Sequence, residues 1–414
     1  MFARRLLQVL SASFLALLAA CAHTPPAIAP AAGSGTPPLI LISIDGFRAD
    51  YLDRGITPNL KTLAETGASA AMRPSFPSLT FPNHYALVTG KRPDDNGIVN
   101  NTMRDPARPG TVFKLSDATQ VADRFWWDEA VPFWVSAERA GIKTGTMFWP
   151  GSEAAIQGVR PSRWLPFDKS LSSLQRVDQI LRWLDLPIAE RPQAFTLYFD
   201  EVDTAGHHYG PDSAEVNAAA THVDTAIGRL RAGLSARGLA ARTNLIIVAD
   251  HGMAAVAENR GIFLDELLPR QQYELITSGT VLGVNPKPGF ESAVDAALIT
   301  PHPHMQCWHK ANIPERLHYG KNPRVAEIIC AAEVGWVIGT DRARGIGYKG
   351  GAHGYDPASP EMQALFIVNG PAIKPGIKLP SFDNVAVYDL EMDLLHLQPE
   401  PNDGSLAPLA AALK

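Results

Sequence analysis

The run from Pro38 to Ile44 is apolar and β-branched without polar alternation, the pattern of a strand buried on both faces, and it ends directly on Asp45-Gly46. Lys143 to Phe148, Ala194 to Phe199, Asn244 to Ala249 and Ala364 to Val368 read as further strands, and Ala68 to Met72 opens another strand and helix step. Helical stretches separate them. Thr57-Pro58 offers an N-cap and an N1 proline to a helix carrying Leu60, Leu63 and Ala64 and stopped by Gly67, and Ala214 to Leu234 reads as a longer one. This alternation predicts a three-layer α/β/α fold with a mainly parallel central sheet. Three of the strands end near Asp45, Asp203 and Asp250, at the carboxyl edge where open α/β sheets hold their ligands. Stretches 91 to 165 and 270 to 350 are richer in loops and are expected to form lids or a small subdomain. No second linker is evident, so 38–414 reads as one domain.

The N-terminus adds a different signal. Arg4 and Arg5 precede the apolar stretch Leu6 to Ala20, too short for a membrane span, so 1–20 reads as a signal peptide. Leu18-Ala19-Ala20-Cys21 looks like a bacterial lipobox, with Cys21 the lipidated residue and the small, Pro-rich stretch 21–37 a tether. The competing reading is ordinary cleavage near Ala20. Either reading predicts an exported protein, and the absence of Asp after Cys21 leans towards the outer membrane, facing the periplasm. The remaining pair, Cys307 and Cys330, is either a disulfide, as an oxidising compartment favours, or two buried thiols. A hydrophobic share of 46% allows a substantial core, and a net charge of -5 without any dense Lys/Arg run argues against a nucleic-acid polymer as partner.

Residues able to ligate a metal recur in four places: Asp45; Asp203-Thr-Ala-Gly-His207, followed by His208; Asp250-His251-Gly252; and Gly351-Ala352-His353-Gly354. Carboxylate oxygens and imidazole nitrogens are the ligands of catalytic zinc. Singly, each has a plain alternative as a turn or capping residue. Thr80, ahead of Phe81-Pro82-Asn83-His84, stands at the start of a helix-compatible run, where free N–H groups and the helix dipole suit phosphate. It either caps that helix or acts as a nucleophile.

Ile44-Asp45-Gly46-Phe47-Arg48, the Thr80 segment, Gly97-Ile98-Val99-Asn100-Asn101, Asp203 through Gly210, Asp250-His251-Gly252 and Gly351-Ala352-His353-Gly354 follow one another in an order that closely resembles the nucleotide pyrophosphatase/phosphodiesterase family of the alkaline-phosphatase superfamily. Trp134-Val135 and Phe148 to Ser152 add to the likeness. The resemblance implies an alkaline-phosphatase-like fold and two zinc ions. One would be held by Asp203, His207 and His353, the other by Asp45, Asp250 and His251 with the Thr80 oxygen; His208 falls outside the pattern. Asn101 would donate to a phosphate oxygen, with Asn100 the competing assignment. Phe81 and Tyr198 match positions that sandwich a nucleobase, against the alternative of core packing.

The implied reaction is hydrolysis of a phosphodiester or pyrophosphate through a covalent Thr80 intermediate, releasing nucleoside 5'-monophosphates. A phosphomonoesterase using the same threonine, with Lys91 or Arg163 supplying positive charge, is the alternative enzyme. A non-catalytic zinc-binding envelope protein is the alternative from another class. A sulfatase is not expected, because no Cys/Ser-x-Pro-x-Arg motif surrounds Thr80.

Overall fold

A computed structural model describes residues 37–414. The expected signal peptide, the lipidation site Cys21 and all but the last residue of the expected tether lie outside the described residues. No helix among those described is long and apolar enough to cross a membrane.

The central sheet runs Ile377–Lys378, Ala68–Arg73, Ala364–Asn369, Asn244–Val248, Leu39–Ile44, Ala194–Phe199, Thr144–Met147, Arg163–Leu165, with Phe382–Asp383 also pairing with Ala68–Arg73. Leu39–Ile44 is wholly buried, as its apolar run with Ser43 the one polar residue suggests, and pairs in parallel with Ala194–Phe199 on one side and Asn244–Val248 on the other. Only Ala364–Asn369 runs against its neighbours. Its direction comes from the connection that delivers it, which the strand's own residues do not encode.

The helices fall into two groups that pack within themselves. Pro58–Glu65, Ser173–Leu184 and Glu201–Tyr209 each lie against Ala214–Ala236, whereas Thr80–Thr89 lies against Ala386–Leu394. Two of the expected helix signals work differently from their sequence reading. Thr57 stands at the N-cap of Pro58–Glu65 but its side chain caps nothing. The free N–H groups are taken by Asp224, whose carboxylate accepts from Asn59 N at 3.1 Å and Leu60 N at 2.8 Å. Gly67 does not end the helix by a left-handed turn; it allows close approach, since a Cβ there would lie 2.2 Å from the Val368 carbonyl oxygen.

The two loop-rich stretches also divide. The first contributes Thr144–Met147 and Arg163–Leu165 to the central sheet, so it is more than a lid. The second forms a four-stranded antiparallel sheet in the order Tyr273–Thr277, Val281–Pro286, Ile328–Ala332, Met305–His309, with an apolar core of its own around Leu282, Val284 and Ile328. Cys307 and Cys330 face each other on its adjacent strands and are joined by a disulfide.

Candidate active site

Asp45 follows the central strand, and its N–H donates to the Phe199 carbonyl at 2.9 Å, extending the parallel register one residue beyond the strand. Asp250 and His251 follow the neighbouring strand Asn244–Val248. Asp203 departs from its expected position at a strand end: it lies in the first turn of the helix Glu201–Tyr209, one turn before His207. Four residues is one helical turn, so both side chains project from one face. Gly46 sits at φ 67 and its Cβ position would lie 3.0 Å from the Asp203 backbone. Only glycine brings these two carboxylate segments so close without strain. His353 follows Gly351–Ala352, a short strand paired with Ala254–Ala255.

The three imidazoles are oriented alike. His207 Nδ1 lies 3.0 Å from the Gly351 carbonyl, His251 Nδ1 2.9 Å from that of Gly252, and His353 Nδ1 2.9 Å from that of Ser78. A carbonyl oxygen only accepts, so each ring carries a proton on Nδ1 and turns Nε2 into the site. His207 Nε2 and His353 Nε2 then face each other at 3.1 Å, with Asp203 Oδ1 3.5 and 3.6 Å from them. His251 Nε2 lies 3.5 Å from Asp45 Oδ1 and 2.9 Å from Asp250 Oδ2. Asp45 Oδ1, Asp203 Oδ1 and Asp250 Oδ2 are buried without a hydrogen-bond partner among the described residues.

Lone pairs and carboxylate oxygens converging without donors is an arrangement that a cation satisfies. Burial and the adjacent Asp250 and Asp203 carboxylates push the Asp45 carboxyl well above its ordinary range. Burial works against charge on Asp250 as well, yet the His251 and His84 rings beside it hold that carboxyl well below the usual value. His353 is held neutral by burial and by the neighbouring His251 and His207 rings. The donor set therefore fits a cation: Asp45, Asp250 and His251 come together as expected, whereas Asp203 and His353 converge with His251 as well as with the expected His207.

Thr80 opens the helix Thr80–Thr89, but Leu79 occupies the N-cap and the threonine hydroxyl makes no capping bond. Its Oγ1 lies 3.3 Å from His251 Nε2, at the edge of the second ligand group. Asn101 Oδ1 accepts from the Phe81 N–H at 2.9 Å, which orients the amide and leaves Nδ2 free to donate. Asn100 is occupied elsewhere: its Oδ1 accepts from Thr102 N and from the Thr277 hydroxyl.

Thr80, Asn101, Asp45, Asp203, His207 and His353 line one side of a cavity of about 730 Å³, and Phe81, Trp149, Phe167 and Tyr198 line its aromatic part. Tyr198 lines the cavity and also makes a polar contact. Its hydroxyl donates to Asp45 Oδ2 at 2.6 Å, and burial followed by the Asp45 charge pushes the phenol well above its ordinary value, so it remains a donor. The ring that sequence reasoning missed is Phe167, 48% exposed, which meets the Tyr198 ring edge-on at 5.9 Å. It sits in a stretch that follows a short edge strand, with no motif around it. Lys91 and Arg163 do not line the cavity, and Arg163 pairs with Glu190 at 2.9 Å. Lys169 is the one lysine or arginine among the described residues that does, and it stands 3.9 Å from Asp200.

Residues 39–356 match the type I phosphodiesterase / nucleotide pyrophosphatase family. An uncharacterized pyrophosphatase/phosphodiesterase of Schizosaccharomyces pombe is 39% identical over 89% of this chain and 78% of its own length. Human ectonucleotide pyrophosphatase/phosphodiesterase family member 1 is 36% identical over 92% of this chain, which spans 42% of that protein. Among solved structures, murine ectonucleotide pyrophosphatase/phosphodiesterase 5, an inactive variant in complex with AMP, superposes with a TM-score of 0.87 at 34% identity, covering 91% of this chain and 100% of that one. The chain thus belongs to the nucleotide pyrophosphatase/phosphodiesterase family of hydrolases and has its alkaline-phosphatase-like fold.

Proposed function

We propose that this protein is a zinc-dependent nucleotide pyrophosphatase/phosphodiesterase that cleaves a phosphodiester or pyrophosphate bond through a covalent Thr80 intermediate and releases a nucleoside 5'-monophosphate. The observation that carries this reading is the convergence of three imidazole Nε2 atoms, three unpartnered carboxylate oxygens and the Thr80 hydroxyl beside a cavity that Phe81, Trp149, Phe167 and Tyr198 also line. The AMP held by the murine neighbour supports a nucleotide there. Bound by Asp203, His207 and His353 and by Asp45, Asp250, His251 and Thr80, two zinc ions would act as Lewis acids on the attacking and departing oxygens.

The chain's own groups do the rest. Asn101 Nδ2 donates to a non-bridging phosphate oxygen and holds the phosphorus in front of Thr80. Thr80 Oγ1 forms a bond to phosphorus as the bond to the departing oxygen breaks; the proton lost by the threonine is balanced by one gained on the leaving group. Water then cleaves the Thr80 phosphoryl ester and restores the hydroxyl. Phe81 and Phe167, with the Tyr198 ring behind, present apolar surface to the base, a sequence-tolerant mode of recognition. A diester is favoured over a monoester because Asn101 is neutral and, among the described residues, Lys169 is the one lysine or arginine that lines the cavity, with 68% of its side chain exposed to water.

The test compares kcat/KM on a nitrophenyl ester of a nucleoside 5'-monophosphate with that on nitrophenyl phosphate, and identifies the nucleotide product. Faster hydrolysis of the monoester would overturn the diesterase reading. Export with a lipid anchor at Cys21 belongs to the same proposal, supported by the Leu18-Ala19-Ala20-Cys21 motif and by the Cys307–Cys330 disulfide, which suits an oxidising compartment. Fatty-acid labelling that persists in Cys21→Ser would sink the anchor.

A further inference from the structure

Asn83 and His84, the two polar residues that follow Pro82 in the Thr80 helix, are wholly buried and have no part in the reaction described above. An amide and an imidazole remain in an interior only when their polar atoms find partners. Asn83 serves the loop in front of the helix: Nδ2 donates to the Pro77 carbonyl at 2.9 Å and the Leu79 carbonyl at 2.8 Å, and Oδ1 accepts from Ser75 N at 2.7 Å. His84 faces the metal-binding groups. Its Nδ1 lies 2.9 Å from the Thr80 carbonyl oxygen and 3.3 Å from Asp250 Oδ2. Its Nε2 lies 2.8 Å from the hydroxyl of Ser43, two residues before Asp45 on the central strand.

Both oxygens next to Nδ1 are acceptors, so the neutral ring carries its proton there, and Nε2 accepts from Ser43. The ring has no freedom to swing away. Trp149 and Tyr198 meet it edge-on with centroids 5.0 and 5.2 Å away, and Trp149 Nε1 donates to the His84 carbonyl at 3.1 Å. One imidazole thus joins the backbone of Thr80, the side chain of Asp250 and the central strand.

We propose that His84 is a positioning residue: bonded through Nδ1–H to the Thr80 carbonyl and through Nε2 to Ser43, it ties the Thr80 backbone to the central strand beside Asp250 and so holds the Thr80 hydroxyl in line for attack. The proposal rests on the reading of Thr80 as nucleophile. The helix begins at Thr80, and its N-cap residue Leu79 makes no side-chain bond; in the first turn Asn101 holds the Phe81 N–H from the loop side, and His84 holds the Thr80 carbonyl from the strand side. Reactions of this kind lose about 100-fold in rate when the reacting groups are misplaced by about 1 Å, so a tie at this point acts on turnover and leaves base binding to the aromatic end.

The experiment is a series of His84→Asn, His84→Gln and His84→Leu, with Thr80→Ala alongside, assayed for kcat, KM, bound zinc and thermal unfolding. The amide nitrogen of Asn reaches the Nδ1 position, whereas that of Gln reaches the Nε2 position. His84→Gln and His84→Leu are expected to lose roughly 10- to 100-fold in kcat with KM changed by less than about threefold and zinc retained, and His84→Asn to regain most of that loss. A space-filling role gives the reverse order, because Gln and Leu match the ring's volume better than Asn; that order, or near-normal kcat in all three, overturns the proposal. So does loss of zinc in step with kcat, which makes His84 a metal-retention residue instead. If His84→Leu does not fold, the Asn and Gln pair decides. Near-normal turnover in Thr80→Ala sinks the nucleophile reading itself, whereas an inactive Thr80→Ala with the reverse His84 order sinks the positioning role alone.

Discussion

The two ends of the cavity are built by different physics. At the ligand end Asp250 and His251 are 0% exposed, Asp45 2% and His353 6%, and a backbone carbonyl fixes each of the three ligand imidazoles. At the aromatic end Phe167 is 48% and Leu115 44% exposed, and Phe81 meets Trp127 and Phe113 only by tilted ring contacts near 6 Å, at 5.9 and 6.0 Å. A buried charge or lone pair that loses its partner costs several kcal/mol, roughly 3 to 5 for a broken buried pair, so the ligand end tolerates almost no change. Ring contact is non-directional and individually modest. The end proposed to do chemistry is therefore rigid and exacting, and the end proposed to receive the base is adaptable.

The most severe way to break this comparison is at the ligand end. Thr80→Ala is expected to reduce turnover on the order of 10⁴-fold or more on every substrate, while retaining zinc by elemental analysis, since the six carboxylate and imidazole ligands lie elsewhere. Substantial residual hydrolysis would remove Thr80 from its role. Chelation should abolish activity as well, and Zn²⁺ should restore it better than Mg²⁺, because imidazoles suit zinc and Mg²⁺ prefers an all-oxygen octahedral shell. The metal-free protein should also unfold at a lower temperature, because Asp45, Asp203 and Asp250 are left crowded around His251 with no cation between them. A metal-independent melting temperature would show that the ligand groups are already satisfied within the protein.

The same contrast explains what the sequence made legible. Asp45, Asp250, His251 and His353 stood out as candidates because they lie at or close to strand ends with a glycine one or two residues away, but singly each could be a turn residue, and it was the family resemblance that assigned them as ligands. The four-residue spacing of Asp203 and His207 was equally visible, although it belongs to a helix and not to a strand end. Long-range partners were not legible. Asp224 caps a helix that Thr57 was expected to cap, and nothing near Thr57 announces it. Phe167 reaches the cavity from an irregular stretch, where no periodicity marks a side chain as facing a ligand. The four strands between Tyr273 and Ala332 lie in a stretch expected to form a lid or small subdomain; Tyr273–Thr277 and Met305–His309 are short and only partly buried, whereas Val281–Pro286 and Ile328–Ala332 are mostly buried but too short to stand out from the loops around them.

At the aromatic end the expected losses are smaller and depend on the substrate. Phe81→Ala and Phe167→Ala should each lower kcat/KM for a nucleotide diester by roughly 5- to 150-fold, the equivalent of losing a stacked base at about 1.4 kcal/mol per factor of ten. Methyl nitrophenyl phosphate, which has no base, should be nearly unaffected. All four common nucleotides should be accepted with modest preferences, because every base offers a face to stack. Equal losses on both diesters would mean that these rings support the ligand end, and the division drawn above would fail.

Tyr198 is the residue that tests the boundary between the two ends, and its conservative variant should have the smallest effect. Its ring stands behind Phe167, but its hydroxyl donates to Asp45 Oδ2 at 2.6 Å while Oδ1 of the same carboxylate faces His251. That bond fixes which oxygen of Asp45 is offered to a metal. Tyr198→Phe keeps the ring and removes only the donor, so a substrate without a base should suffer as much as one with a base. The expected cost is about tenfold in activity, the lower end of what outer partners of metal ligands contribute. Zinc affinity should fall by a similar factor, measurable by competition with a chromogenic chelator. Were the loss confined to the nucleotide, with zinc affinity unchanged, Tyr198 would belong to base recognition, as its sequence position first implied, and its bond to Asp45 would be incidental.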